Sequence, residues 1–104
     1  MSIEDILKNI GAIGAENATK KETLMSLSGL DNRSLRQIIE DERKKGALIC
    51  SKTGTGGGYF LASSVVDIKT YIKEQENRIN SQIMALAPFK TYMRKVGENE
   101  YTIW

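Results

Sequence analysis

The sequence predicts a mainly α-helical fold with one small β-hairpin and a long C-terminal helix. Three observations carry this: short apolar-periodic segments bounded by capping residues and glycine, a glycine-rich stretch between two brief apolar runs, and an apolar frame from Val65 to Val96.

Ser2 to Asp5 spells a capping box, in which the Ser hydroxyl accepts the Asp5 amide and the Asp5 carboxylate returns to the Ser2 amide. Ile3, Ile6, Leu7 and Ile10 follow at helical spacing, and Gly11 stands where that helix ends. Gly11 to Ala18 has no period and reads as a connection. Thr19 to Glu22 repeats the capping signature and opens a second helix, which carries Leu24 and Leu27 and stops at Gly29. Leu30 alone separates it from Asp31, the N-cap of a third helix with Leu35, Ile38 and Ile39 on one face, running to Gly46. Ala47 to Ser51 and Tyr59 to Ala62 read as two short strands, and Lys52 to Gly58, with four glycines in seven residues, as the hairpin loop.

Ser64 caps the last helix. Val65, Ile68, Ile72, Ile79 and Leu86 fall on a heptad frame whose intervening positions are Gln75 and Gln82. Phe89, Met93 and Val96 continue the frame past Pro88, which either kinks one helix or starts another. The tail from Gly97 to Trp104 ends on Tyr101, Ile103 and Trp104 and is expected to dock.

At 104 residues, 40% apolar and 27% charged, the chain has the length and composition of one globular domain. No apolar run has the length of a membrane span, and the opening residues are unlike a signal peptide, so a soluble cytoplasmic protein is expected. Histidine is absent and cysteine occurs once, at Cys50. A Cys/His zinc site, a Ser-His-Asp or Cys-His nucleophile pair and an intramolecular disulfide each lack a necessary member. The carboxylates are interspersed with Lys and Arg along helical segments, so a non-enzymatic protein without metal or cofactor is expected. Net charge is +2, with the excess of basic residues between Thr19 and Tyr59, where eight Lys or Arg face five Asp or Glu. That distribution points weakly to a polyanionic partner. Cys50 reads as a buried strand residue, with redox sensing as the lesser alternative. The glycine loop leads into a strand and lacks Gly-Lys-Ser/Thr before a helix, which argues against a nucleotide site.

The order helix, helix, glycine turn, helix, hairpin, helix is that of a winged helix-turn-helix. The stretch TKKETLMSLSGLDNRSLRQIIEDERKKGALICSKTGTGGGYFLA, Thr19 to Ala62, resembles the winged-helix modules of bacterial transcriptional regulators and of small phage or prophage DNA-binding proteins of Gram-positive bacteria. It covers a little under half the chain. The resemblance implies that Gly29 makes the turn, that Leu30 and Leu35 lock the two helices, that Arg33 to Gln37 open the recognition helix, and that Lys52 to Gly58 form the wing. Met25 stands where the pattern prefers a small residue. Glu42 stands where it prefers Leu, on the inward stripe with Leu35, Ile38 and Ile39, and there needs to snorkel or find a partner such as Lys or Arg.

The residues themselves give a matching reading. At 100° per residue, Arg33, Gln37, Glu40 and Lys44 share the face opposite Leu35 and Ile39, with Ser34 and Arg36 beside them. Arg offers guanine a bidentate donor pair and Gln offers adenine a donor and acceptor. The expected DNA contacts are Asn32, Arg33, Ser34, Arg36, Gln37 and Lys44 on the helix and Lys52, Thr53 and Thr55 on the loop. Residues 1–63 are expected to form the DNA-binding domain and 64–104 a C-terminal helical dimerisation or interaction region. Ser64 to Ala87 spans about 36 Å as a helix, longer than so small a module covers, so a homodimer is expected through it. The alternative is a chain that folds back after Pro88 so that Phe89 to Trp104 covers the stripe. The function expected is sequence-specific binding of double-stranded DNA by a small transcription regulator of phage or bacterial type. The alternatives are a replication or recombination accessory protein of a mobile element, and a protein-interaction adaptor that does not touch DNA.

Overall fold

A computed structural model describes residues 2–96. Helix α1 (Ile3–Asn9) starts at the predicted capping box, with the Asp5 amide donating to Ser2 Oγ at 3.0 Å and the Ser2 amide to Asp5 Oδ2 at 3.4 Å. Ile3, Ile6 and Leu7 are buried, whereas Ile10, beyond the helix end, is exposed.

Helix α2 (Lys21–Ser28) departs from expectation at its start: Lys20 is the N-cap and makes no side-chain bond. The backbone of Thr19 is engaged elsewhere. Its amide donates to the Tyr59 carbonyl, and the Tyr59 amide donates to the Thr19 carbonyl, both at 2.8 Å. An isolated bridge along the hairpin has displaced the predicted cap, because the second strand's free edge needs partners for its amides and carbonyls. Gly11 to Ala18 is likewise more than a connection. It holds a 3-10 turn (Ala15–Asn17), and Ile13 bridges Leu61, with the Gly14 amide donating to the Leu61 carbonyl and the Leu61 amide to the Ala12 carbonyl at 2.8 Å each.

Helix α2 closes on Gly29, whose φ of +74° is the left-handed conformation that a side chain would strain. Helix α3 (Asn32–Lys44) follows, capped by Asp31, which accepts the Ser34 amide at 2.8 Å. Leu24, Leu35 and Ile39 are buried together with the apolar face of α1 and with Ile49 and Leu61 of the hairpin, while Met25, Leu30 and Ile38 pack at the margin.

Strands β1 (Ile49–Lys52) and β2 (Gly58–Leu61) pair antiparallel, with Cys50 opposite Phe60 and Lys52 opposite Gly58. The expected boundaries shift here: Lys52 and Gly58 belong to the strands, and the loop is residues 53–57. Gly58 is required by two constraints. Its φ is +144°, and a Cβ there would overlap the Thr19 carbonyl, so only a bare backbone lets the Thr19 segment approach β2.

Helix α4 (Val65–Val96) opens with the Asp67 amide on Ser64 Oγ at 3.3 Å and the Asp67 carboxylate on the Ser63 amide at 2.9 Å. It runs through Pro88 as one helix, which decides between the two expectations for that residue. The chain divides after Ile72 into two compact units, the first holding α1 to α3, the hairpin and the opening turns of α4. The apolar tail expected to dock lies outside the described residues. Among the described residues no helix is long and apolar enough to cross a membrane.

Candidate nucleic-acid interface

The turn between α2 and α3 is held by short-range bonds. The Gly29 amide donates to the Met25 carbonyl at 2.9 Å and the Leu30 amide to Ser28 Oγ at 3.3 Å before Asp31 caps α3. The bonds from the Ser34 backbone and side chain hold the Asp31 carboxyl below the usual carboxylate range. With Leu35 and Ile39 buried, the opposite face of α3 is left to solvent, and Arg33, Ser34, Arg36 and Gln37 are exposed in its first two turns.

Two expected contacts already have acidic neighbours one turn away. Gln37 Nε2 donates to Asp41 Oδ1 at 3.0 Å, and Lys44 Nζ lies 3.5 Å from Glu40 Oε1. Both links are at the surface, where such pairs contribute about 0–1 kcal/mol and are readily exchanged for another partner. Asn32 is placed differently: it is half-buried, and its Oδ1 is enclosed without a hydrogen-bond partner. Lys44 stands at the far end of the helix, about 16 Å along the axis from Arg33.

The hairpin contributes Lys52 from the end of β1, half-buried and held in the ladder, and Thr53 and Thr55 from the exposed loop. The Thr19 bridge adds two cations that sequence reasoning missed. Lys20 and Lys21 follow Thr19 directly and are exposed, and the Lys20 backbone passes beside Gly58, the residue opposite Lys52. No local pattern marks them, since their placement depends on pairing between positions forty residues apart.

Two further charged residues face inward. Glu42 was expected to snorkel or find a partner such as Lys or Arg. It finds one, though not a cation: its carboxylate accepts the first amides of α1, Ile3 N–H at 2.8 Å and Glu4 N–H at 2.9 Å, because helix N-terminal amides lack intrahelical partners. Arg43 donates from Nε to the Ile49 carbonyl at 2.8 Å and lies 5.1 Å from the centre of the Tyr71 ring. Its charge is thus withdrawn from the exposed face. Cys50 is buried as expected; burial pushes its thiol up, Asp67 adds to the rise, and Arg43 opposes it. Among the described residues no three Cys, Asp or Glu side chains converge as a metal site.

Comparison with family models, with curated proteins and with solved structures finds no match to this chain.

Proposed function

We propose that the chain is a winged helix-turn-helix protein that binds duplex DNA in a sequence-dependent way, as a small transcription regulator of phage or bacterial type. The observation that carries this reading is the α2–α3 corner. Gly29 and Asp31 set α3 so that Arg33, Arg36 and Gln37 stand exposed in its opening turns over buried Leu35 and Ile39. A helix entering the major groove by its N-terminal end reaches base edges with those turns. Arg33 would pair with guanine, and Gln37 would exchange its bond to Asp41 for one to adenine. The hairpin would serve as the wing, with Thr53 and Thr55 along the backbone and Lys20, Lys21 and Lys52 offering charge to phosphates.

Titration of labelled duplex at several salt concentrations tests the reading. With three to five phosphate contacts per subunit, the slope of log K against log salt should be roughly −3 to −5. Absence of saturable binding at low ionic strength overturns it. One observation favours the adaptor as a second reading: Glu40 and Asp41 stand exposed on α3 among its cations and lower the attraction of that face for phosphate.

A further inference from the structure

We propose that α4 pairs with α4 of a second copy as a parallel, in-register two-stranded coiled coil whose register is set by Gln75 and Gln82. The inference concerns α4 alone and does not rest on DNA contact.

The helix is continuous across the whole heptad frame, and Ile72, Ile79, Leu86, Phe89 and Met93 of that frame are uncovered: Ile79 is 52% and Phe89 69% exposed. The pattern repeats every 3.5 residues over four heptads. A straight helix has 3.6 residues per turn, so such a stripe drifts by about 20° per heptad. A flat protein surface therefore loses the stripe along its length, whereas a helix supercoiled around it stays in contact.

The polar positions choose the partner and its direction. In a parallel, in-register pair each Gln75 faces Gln75 of the second copy and each Gln82 faces Gln82, so each side-chain amide has a donor and an acceptor opposite. In a fully overlapped antiparallel pair, Gln75 faces Leu86 and Gln82 faces Ile79, twice each, leaving buried amides against aliphatic side chains. A slip of one heptad sets Gln82 against Phe89 and Ile68 against Gln75. The flanks agree. The antiparallel pair brings Lys69 against Lys90 twice along one flank, while the parallel pair sets Tyr71 beside Glu76 and Arg78 beside Ile83, with no like charges opposed. Ile72 and Ile79, on the other seam row, are β-branched residues in the position that favours two strands over three.

Sedimentation equilibrium of the full chain at tens of micromolar should give twice the 11.6 kDa chain mass. In a Cys50→Ala background, Met93→Cys should form a disulfide-linked dimer nearly completely in a glutathione redox buffer. In the antiparallel pair residue 93 faces residue 68, so its own counterpart is out of reach. Gln75→Leu with Gln82→Leu should tighten the dimer by about tenfold or more and reduce the Met93→Cys cross-link, because other registers are no longer penalised. A mass of one or three chains overturns the proposal. So does a dimer without the cross-link, or a Gln pair whose replacement changes neither measurement. Neither experiment contains DNA, so their failure leaves the reading of α3 to its own test.

Discussion

Replacing Glu42 should destabilise the fold far more than replacing any acid on the exposed face of α3. Its two oxygens accept amides of α1 that are thirty-eight and thirty-nine residues away, so Glu42→Ala removes a long-range tie and a helix cap in one step. Hydrogen bonds to charged groups contribute about 1.5–3 kcal/mol each, and loss of a helix cap costs about 0.5–2 kcal/mol. The cleft beside Glu42, lined by Ser2, Lys45 and Ala47, is open, so water reaches the freed amides and the lower part of the combined range applies. The expected loss is about 2–3 kcal/mol, or a fall in Tm of about 10–20 °C for a unit of this size. Glu42→Gln keeps one acceptor but turns an NH2 group toward the other amide, and should lose about 1–2 kcal/mol. Glu40→Ala, which removes only a surface pair with Lys44, is the control and should change stability by about 0.5 kcal/mol or less. Urea unfolding followed by far-ultraviolet circular dichroism, at one protein concentration because assembly shifts apparent stability, measures all three. A Glu42→Ala loss no larger than that of Glu40→Ala refutes the assignment of Glu42 as the cap of α1.

Arg33→Ala and Gln37→Ala should each cost about 1–3 kcal/mol on a selected DNA site and relax preference at one position, read by comparing selected and random duplexes. Lys52→Ala should weaken all sequences alike and reduce the salt slope by about one unit, since a phosphate contact carries no sequence information. Gly58→Ala should lower Tm by about 10 °C or more, because the added methyl strains a positive φ and pushes the Thr19 segment off β2; an unchanged Tm excludes that close approach. The Cys50 thiol should be slow toward iodoacetamide at neutral pH and fast once urea unfolds the chain. Because its folded value lies above the unfolded one, its contribution to stability is complete below the unfolded value of about 8.5 and declines as pH rises above it, so stability relative to Cys50→Ala should fall between pH 8 and 10.

What the sequence revealed and what it concealed divide along the range of the interactions. The Ser2 box, the Gly29 stop and the Asp31 cap are local codes, and each element starts or ends where they place it. The exposed positions of Arg33 and Gln37 follow from the 100° step once Leu35 and Ile39 are assigned to the core. The acidic neighbours of Gln37 and Lys44 were also legible, since Asp41 and Glu40 stand four residues away on the same face. Thr19 shows the limit. It satisfies the capping pattern and also suits a strand, and only the arrival of the Gly58–Tyr59 backbone decides between them. The same approach brings the Lys20 backbone beside Gly58, which the hairpin ladder itself pairs with Lys52. Glu42 is the second case: its place on the inward stripe was readable, but its partner is a set of backbone amides, which no side-chain pattern records.

The Glu42 contact, with that of its neighbour Arg43, bears on what α3 can do. Near the end of the helix, adjacent residues fasten it on different sides, Glu42 to the start of α1 and Arg43 to β1 and to Tyr71 of α4. At the other end Asp31 fixes the first turn, and between them Leu35 and Ile39 anchor the buried stripe. The helix is thus held at its far end and along its back, with its first turn ordered by its own cap, while Arg33, Arg36 and Gln37 make no hydrogen bond or ion pair to another element among the described residues. Fixing a helix this way costs conformational freedom during folding, before any partner arrives. A helix that reads bases needs that order of events, because a bidentate hydrogen bond discriminates only when its donor pair is already held at the right angle. A solvated helix of no function needs neither fastening. Glu42→Ala therefore offers a second readout at a temperature where it remains folded. If α3 reads DNA, loosening its far end should reduce the affinity ratio between selected and random duplex more than it reduces binding to random duplex; an equal reduction of both would mean that this fastening serves the fold alone.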